Sequence, residues 1–261
     1  MFDFAISFNL VISSWDMINV TNTSRMFAGV KAFNEDINTK LITRADGTTY
    51  TSWDVSNVTN MYGMFTGAES FNQDISSWNT SNVTDMRQMF YGAEYFNRDI
   101  NSWDVSNVTN MYGMFWNAYA FNQDLNSWDV SGVTNMNSMF QRAWNFNGDI
   151  SGWDVGEVVT MKSMFADAAN FNNNIGSWDV ATVTKMEFMF SGADSFNQNI
   201  NAWDVSDVEN MQSMFAYADI FNQELNSWDV SKVENMSGMF KYAYRFNRDL
   251  NSWDVSKVET M

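Results

Sequence analysis

The chain has 261 residues, 31 acidic against 14 basic side chains and a formal net charge of −17, and it contains no Cys, His or Pro. Without Cys and His there is no disulfide framework, no thiolate metal site and no imidazole base, which argues against an enzyme. The negative charge repels nucleic acid and anionic lipid, and no apolar run reaches the ~18 residues of a membrane span. The sequence therefore predicts no nucleic-acid partner and no membrane insertion of this segment.

A Trp recurs every 25 residues over most of the chain. The series is Trp53, Trp78, Trp103, Trp128, Trp153, Trp178, Trp203, Trp228 and Trp253. With Trp as position 1, the unit reads W-D-V-S-x-V-T-x-M-x-x-M-F-x-x-A-x-x-F-N-x-D-I-x-S. Such a period is typical of repeats that bury their apolar faces only against their neighbours. We predict a single solenoid of about ten coils over residues 1–261, with both ends cut in mid-repeat.

The unit opened by Trp15 is 13 residues longer than the others, and the extra residues occupy 39–51. Two β-prone runs flank Asp46 and Gly47 there, which predicts a β-hairpin. The hairpin could serve as a binding loop, but we favour an insertion that the repeat tolerates.

The apolar spacing within a unit predicts one helix and one strand. Positions 6, 9, 12, 13 and 16 recur every three or four residues, as on one face of a helix, and Ser at position 4 is a preferred N-cap. The segment I-x-S-W-D-V-S alternates in polarity and is read as a strand, although F-N-x-D-I is an alternative. The predicted fold class is an α/β repeat solenoid with one short parallel strand and one short helix per 25-residue coil.

This motif resembles the repeat of BspA-type leucine-rich-repeat surface proteins, most closely the Met/Phe-rich branch found in mycoplasma surface lipoproteins. The resemblance implies a leucine-rich-repeat-like solenoid, an extracellular or cell-surface location and a role in adhesion, and it brings no catalytic residues. The chain departs from the family in two ways, because Leu occurs only five times and the lipid-attachment Cys is absent.

Most of the repeated residues are predicted to be structural. The Met, Phe and Trp columns are expected to form the core, because their spacing keeps them on the inner side of each coil. Asn at position 20 is expected to form a ladder, because its amide can donate and accept hydrogen bonds along the array.

Two acidic columns, at positions 2 and 22, place carboxylates in register about 5 Å apart, and their repulsion must be offset. Turn amides and Ser hydroxyls are one means, and bound Ca²⁺ is the other. We favour the turn amides, because Asn replaces Asp in both columns without disturbing the period, and we therefore predict no cofactor. The weak candidates for a metal site are Asp54, Asp104, Asp129 and Asp154.

The candidate ligand-binding residues are aromatic side chains that depart from the repeat in three consecutive units. They are Tyr91, Tyr95, Trp116, Tyr119 and Trp144. Stacked coils would bring them together beside acidic groups, as a contact for sugar or protein. The alternative is that they pack on one another as a satellite cluster.

These observations predict a non-enzymatic extracellular repeat protein that presents a surface for adhesion or protein binding. Its partner would be a protein or glycan of a host or neighbouring cell. The alternative is a structural subunit whose copies stack end to end into a cell-surface filament or sheath, since a contact of that kind propagates.

Overall fold

The computed structural model describes all 261 residues and contains no helix and two β-strands. Strand β1 spans Lys40–Thr43 and β2 spans Thr49–Ser52. They pair antiparallel, from Lys40 opposite Ser52 to Thr43 opposite Thr49. The two strands lie in the longer unit, where the sequence predicts a hairpin at 39–51, and β2 ends one residue beyond that segment.

The hairpin is fastened to the coil that carries it. A guanidinium nitrogen of Arg44 lies 2.7 Å from a carboxylate oxygen of Asp16, and the guanidinium lies 4.2 Å from the ring centre of Tyr50. The Tyr50 hydroxyl donates to the carbonyl of Ser14, and Ser52 forms an isolated antiparallel β-bridge with Asp16.

The predicted α/β coil is wrong, because each unit is built from consecutive turns in place of a helix. In the coil opened by Trp53, the N–H of Met64 donates to Met61 O at 3.1 Å and that of Ala68 donates to Phe65 O at 3.0 Å. These bonds join residues three apart, and they close two separate turns. The apolar spacing of three and four fits such turns as well as it fits a helix.

The backbone itself excludes the helix. Positions 11 and 15 adopt positive φ along the whole chain, as at Gly63 (56°) and Gly67 (64°) in one coil and Gln88 (56°) and Gly92 (67°) in the next. A right-handed helix requires negative φ at every residue. Two left-handed residues in each unit therefore interrupt the predicted helix twice.

The predicted parallel strand is also absent, since neither W-D-V nor F-N-x-D-I forms one. The coils are joined instead by hydrogen bonds from positions 9, 11, 13 and 15 to the carbonyls of positions 8, 10, 12 and 14 of the next coil. Examples are Met61 N to Asp85 O at 2.8 Å and Phe65 N to Met89 O at 2.9 Å. Isolated parallel bridges, such as Asn60 with Asp85, occur at position 8.

One continuous core runs through the stack of coils, and it contains 74 buried residues. The Phe rings at positions 13 and 19 of one coil stack on each other, with centroids 4.0 Å apart for Phe65 and Phe71. Each ring also lies over its counterpart in the next coil, at 5.6 Å for Phe65 and Phe90, while Trp53 and Trp78 are 6.1 Å apart. The prediction that the Met, Phe and Trp columns form the core is confirmed.

Polar side chains tie the coils together around this core. The backbone N–H of every position-20 Asn from Asn34 to Asn247 donates to the side-chain oxygen of the Asn one coil before, as for Asn97 to Asn72 at 3.0 Å. The Trp column adds indole bonds to backbone carbonyls, such as Trp103 Nε1 to Ile75 O at 3.1 Å. The predicted Asn ladder is therefore confirmed.

Candidate functional site

Side chains at positions 14, 15, 17 and 18 form one surface of the stack, which we call the aromatic face, whereas the Ala at position 16, such as Ala68, is buried. These positions cover the end of the second turn and the two residues after it, just before the buried Phe at position 19. The N–H groups and carbonyls of this segment bond to neighbouring coils, as in Ala120 N to Glu94 O at 3.0 Å. The side chains therefore stand on a backbone that is fixed on both sides.

The structure brings four of the five predicted ligand-binding residues into two contacting pairs. Tyr91 and Trp116 meet edge to face, with centroids 5.0 Å apart and an interplanar angle of 89°. Tyr119 and Trp144 stack at 4.0 Å and 11°. The ring of Tyr95 stacks on neither pair, and Tyr95 is 63% exposed.

The two pairs differ in how much aromatic surface they expose to a binding partner. The Trp116 ring lies against Gly113, and its indole nitrogen is buried without a hydrogen-bond acceptor. Trp144, in contrast, is 47% exposed although it stacks on Tyr119. The first pair mainly covers the coils beneath it, and the second presents an aromatic ring to solvent.

A shallow groove of about 600 Å³ begins beside Trp144 and crosses four consecutive coils. It is lined by Arg142, Trp144, Asp167, Ala169, Gly192, Asp194 and Tyr217. Trp144 comes from the first of these coils and Tyr217 from the fourth, and the small residues Ala169 and Gly192 lie between them. Gly192 has φ of +68°, and a Cβ there would lie 2.5 Å from a carboxylate oxygen of Asp167. A side chain at position 192 would therefore displace the Asp167 carboxylate, and Gly192 keeps this point of the groove open.

The groove carries unbalanced negative charge. Arg142 Nε lies 3.2 Å from Asp167 Oδ2, so that basic group is already paired. Partial burial raises the pKa of the Asp194 carboxyl, and the nearby carboxylates of Asp219 and Asp167 raise it further. Neither Asp194 nor Asp219 forms an ion pair.

Sequence reasoning missed a second aromatic group on the same face, near the last coils. Its members are large exposed side chains at positions 15, 17 and 18, namely Tyr217, Ile220, Tyr242 and Tyr244. Tyr217 and Tyr242 have centroids 5.0 Å apart. The sequence contained the signal, because these positions overlap those of the first group and Tyr217 and Tyr242 occupy position 15 of adjacent units.

The acidic columns are bonded to turn amides, as the favoured interpretation predicts. The side-chain oxygen at position 2 accepts the N–H two residues later, at 3.0 Å from Ser56 to Asp54 and from Ser106 to Asp104, and at 3.1 Å from Ser131 to Asp129 and from Gly156 to Asp154. The hydroxyl and N–H of Ser131 lower the pKa of Asp129. No three His, Cys, Asp or Glu side chains converge as a metal site would require. A metal role for these four Asp residues stays a prediction.

Comparison with known proteins places the repeat in a described family. The family model described as "Mycoplasma protein of unknown function, DUF285" matches residues 1–51, 39–143, 123–218 and 177–261. The chain belongs to the DUF285 family. The overlapping DUF285 matches extend over the whole chain, as the 25-residue period leads one to expect.

Membership in DUF285 agrees with the mycoplasma repeat proteins that the motif resembles, but it does not single out the BspA type. Neither a curated protein nor a solved structure matches the chain. The structure holds no helix long and apolar enough to cross a membrane.

Proposed function

We propose that this DUF285 chain is a non-enzymatic binding protein of the cell surface, and that the aromatic face contacts a protein or glycan of a host or neighbouring cell. The observation that carries the proposal is the exposed indole of Trp144, which stacks on Tyr119 on a backbone bonded to both neighbouring coils. Rigid exposed aromatic rings lose little entropy on binding and are enriched at the energetic centres of interfaces.

Two further arguments support a binding role at the cell surface. The resemblance to BspA-type surface proteins supports the location and the adhesive role. The carboxylates of the repeat are engaged by turn amides and the chain contains no His or Cys, which favours recognition over catalysis. The charge of −17 favours partners other than nucleic acid and anionic lipid.

The test is the binding of fluorescently labelled chain to host cells, measured by flow cytometry. We expect Trp144→Ala to weaken binding at least fivefold, because truncating a central aromatic contact costs more than ~1 kcal/mol. The matched control is Val159→Ala, which trims another exposed apolar side chain, 46% accessible, at position 7 and away from the face. Equal binding by wild type and Trp144→Ala would refute the proposal.

The alternative function is end-to-end assembly into a filament or sheath. Its structural support is that each coil contacts the next through the same backbone hydrogen bonds and ring stacking, as for Phe65 on Phe90, and a contact of this kind can be repeated between chains. Light scattering separates the two functions, since a mass that grows with concentration supports assembly and a constant monomer mass supports the binding role. Placing a charge with Phe2→Asp would then disrupt the assembly.

A further inference from the structure

The groove between Trp144 and Tyr217 has a shape, a charge and an aromatic lining that together select one class of occupant. We propose that it binds a short, extended, basic segment of a protein partner, with Lys or Arg side chains between the two rings and beside Asp194. This inference rests on the proposed binding function, and it names the chemistry of the partner.

The dimensions suit an extended chain. Hydrogen-bonded coils are about 4.8 Å apart, so three steps from the coil of Trp144 to that of Tyr217 span about 14 Å, the length of four extended residues. Ala169 and Gly192 keep the floor low along this path. Trp144 and Tyr217 are each 47% exposed, so both rings are open to an occupant.

The charge selects a basic occupant. Asp194 and Asp219 lie in adjacent coils without an ion pair, and the carboxylate of Asp219 disfavours the negative charge on Asp194. A bound ammonium or guanidinium group would remove that cost, and the faces of Trp and Tyr also attract cations. Arg142, the basic residue that lines the groove, is already engaged. Arg142 pairs with Asp167, and Lys241, one coil beyond Tyr217, lies 5.3 Å from the ring centre of Tyr242.

A neutral oligosaccharide would also stack on these rings, but it would leave the two carboxylates without a counter-charge. The whole chain, at −17, would also attract a basic segment over distances longer than a contact, and that attraction speeds association. The observations therefore favour the basic peptide over the glycan.

The experiment measures the fluorescence anisotropy of a labelled eight-residue peptide that carries two lysines separated by one glycine. Its matched control is the same peptide with both lysines replaced by glutamine. Three protein variants are compared. Asp194→Asn removes a charge, Trp144→Ala removes a ring, and Ala169→Gln places a larger side chain on the floor of the groove. Glu157→Gln removes the same charge at an exposed position-5 side chain that makes no hydrogen bond or ion pair, and circular dichroism checks that every variant folds.

We expect the lysine peptide to bind and the glutamine peptide to fail. Asp194→Asn and Trp144→Ala should each weaken binding about fivefold, and Glu157→Gln should leave it unchanged. Ala169→Gln tests the groove without altering its charge or its rings, and it should also weaken binding. Raising the salt concentration should weaken the wild-type complex, because the charges are solvent-accessible.

Three results would overturn the inference. Equal weakening by Asp194→Asn and Glu157→Gln would show attraction by the whole chain and no defined site. Equal binding of the two peptides would remove the role of charge. Binding of a neutral tetrasaccharide, with no binding of the lysine peptide, would make the groove a glycan site. If Trp144→Ala still reduces cell binding, only this inference fails, whereas unchanged cell binding removes the proposed function as well.

Discussion

At the scale of single residues, the repeated carboxylates are structural hydrogen-bond acceptors whose pKa values record their surroundings. Hydrogen bonds from Ser131 to Asp129 and from Ser76 to Asp74 stabilise the ionised carboxylates and lower their pKa below 3.8. Asp194, on the aromatic face, has no such donor, and desolvation and neighbouring carboxylates raise its pKa above 3.8. The pKa values of these Asp carboxyl groups are therefore shifted in opposite directions, down for Asp129 and Asp74 and up for Asp194.

The two directions predict that stability passes through a maximum on the acid side of neutrality. A raised pKa in the folded state means that protonation favours folding, so Asp194 adds stability as pH falls through its raised value. A lowered pKa means that stability is present above the ordinary value near 3.8 and is lost as pH falls below it, which applies to Asp129. The melting temperature, followed by circular dichroism from pH 7 to pH 2.5, should rise and then fall.

Asp129→Asn provides the control for this pH dependence. Asn occupies the same column at Asn79, where its side-chain oxygen accepts the Ser81 N–H at 3.2 Å, so the variant should fold. It should lose less stability than the wild type below pH 3.8. A melting temperature that keeps rising to pH 2.5 would contradict the assigned role of these hydrogen bonds.

At the scale of elements, the chain builds each coil from turns whose unused N–H groups bond to the next coil. The hairpin of β1 and β2 is the exception, because its strands pair with each other and it leaves the stack between Asn38 and Ser52. Its contacts with the coil beneath involve few side chains, among them Arg44 and Tyr50. The hairpin is therefore an addition to the repeat and supplies no part of the buried Phe columns.

Deleting residues 39–51 should leave the stack intact, because the shortened unit then has the 25 residues of the others. We expect the melting temperature to change by less than about 5 °C. Deleting only 40–51 leaves one residue too many and should cost more stability, because it disturbs the alignment of inward side chains. Loss of cooperative unfolding in the 13-residue deletion would show that the hairpin is needed for folding.

At the scale of the whole molecule, each coil is stabilised by contacts with the coils on either side of it in the stack. In the inner coils, each Phe at position 13 contacts the Phe at position 19 of its own coil and the position-13 rings of the two neighbouring coils. Phe140 lies 3.9 Å from Phe146, 5.5 Å from Phe115 and 5.7 Å from Phe165. A central coil therefore supports two neighbours, whereas Phe240, in an outer coil, stacks on Phe215 on one side.

Truncating a Phe in a central coil should lower the free energy of unfolding more than truncating one in an outer coil. Phe140→Ala should lower the free energy of unfolding by about 3–5 kcal/mol, because it opens a cavity in a fully buried column. Phe240→Ala should cost clearly less, because Phe240 is only partly buried. Urea unfolding followed by circular dichroism measures both values. Equal losses would show that coil-to-coil stacking does not set the stability.

The sequence alone determined the period, the composition of the core and the polar ladders. Those conclusions follow from the side chains: Phe65 and Met61 must be buried, Asn72 offers both a donor and an acceptor, and Asp54 can accept a turn amide. The sequence also located Tyr119 and Trp144 on one surface, since equal positions in adjacent units must lie side by side.

Only the tertiary structure decided how the backbone is folded. An apolar spacing of three and four satisfies a helix and a pair of turns equally well, and glycines such as Gly63 and Gly67 were the main local hint. Position 11 is left-handed even where it is not Gly, as at Gln88 and Phe188. Steric contacts of the side chain with its own backbone disfavour that conformation. The strain is compensated because the N–H groups of these turns bond to the next coil. Such partners exist only once the coils are stacked, so no single repeat could reveal them.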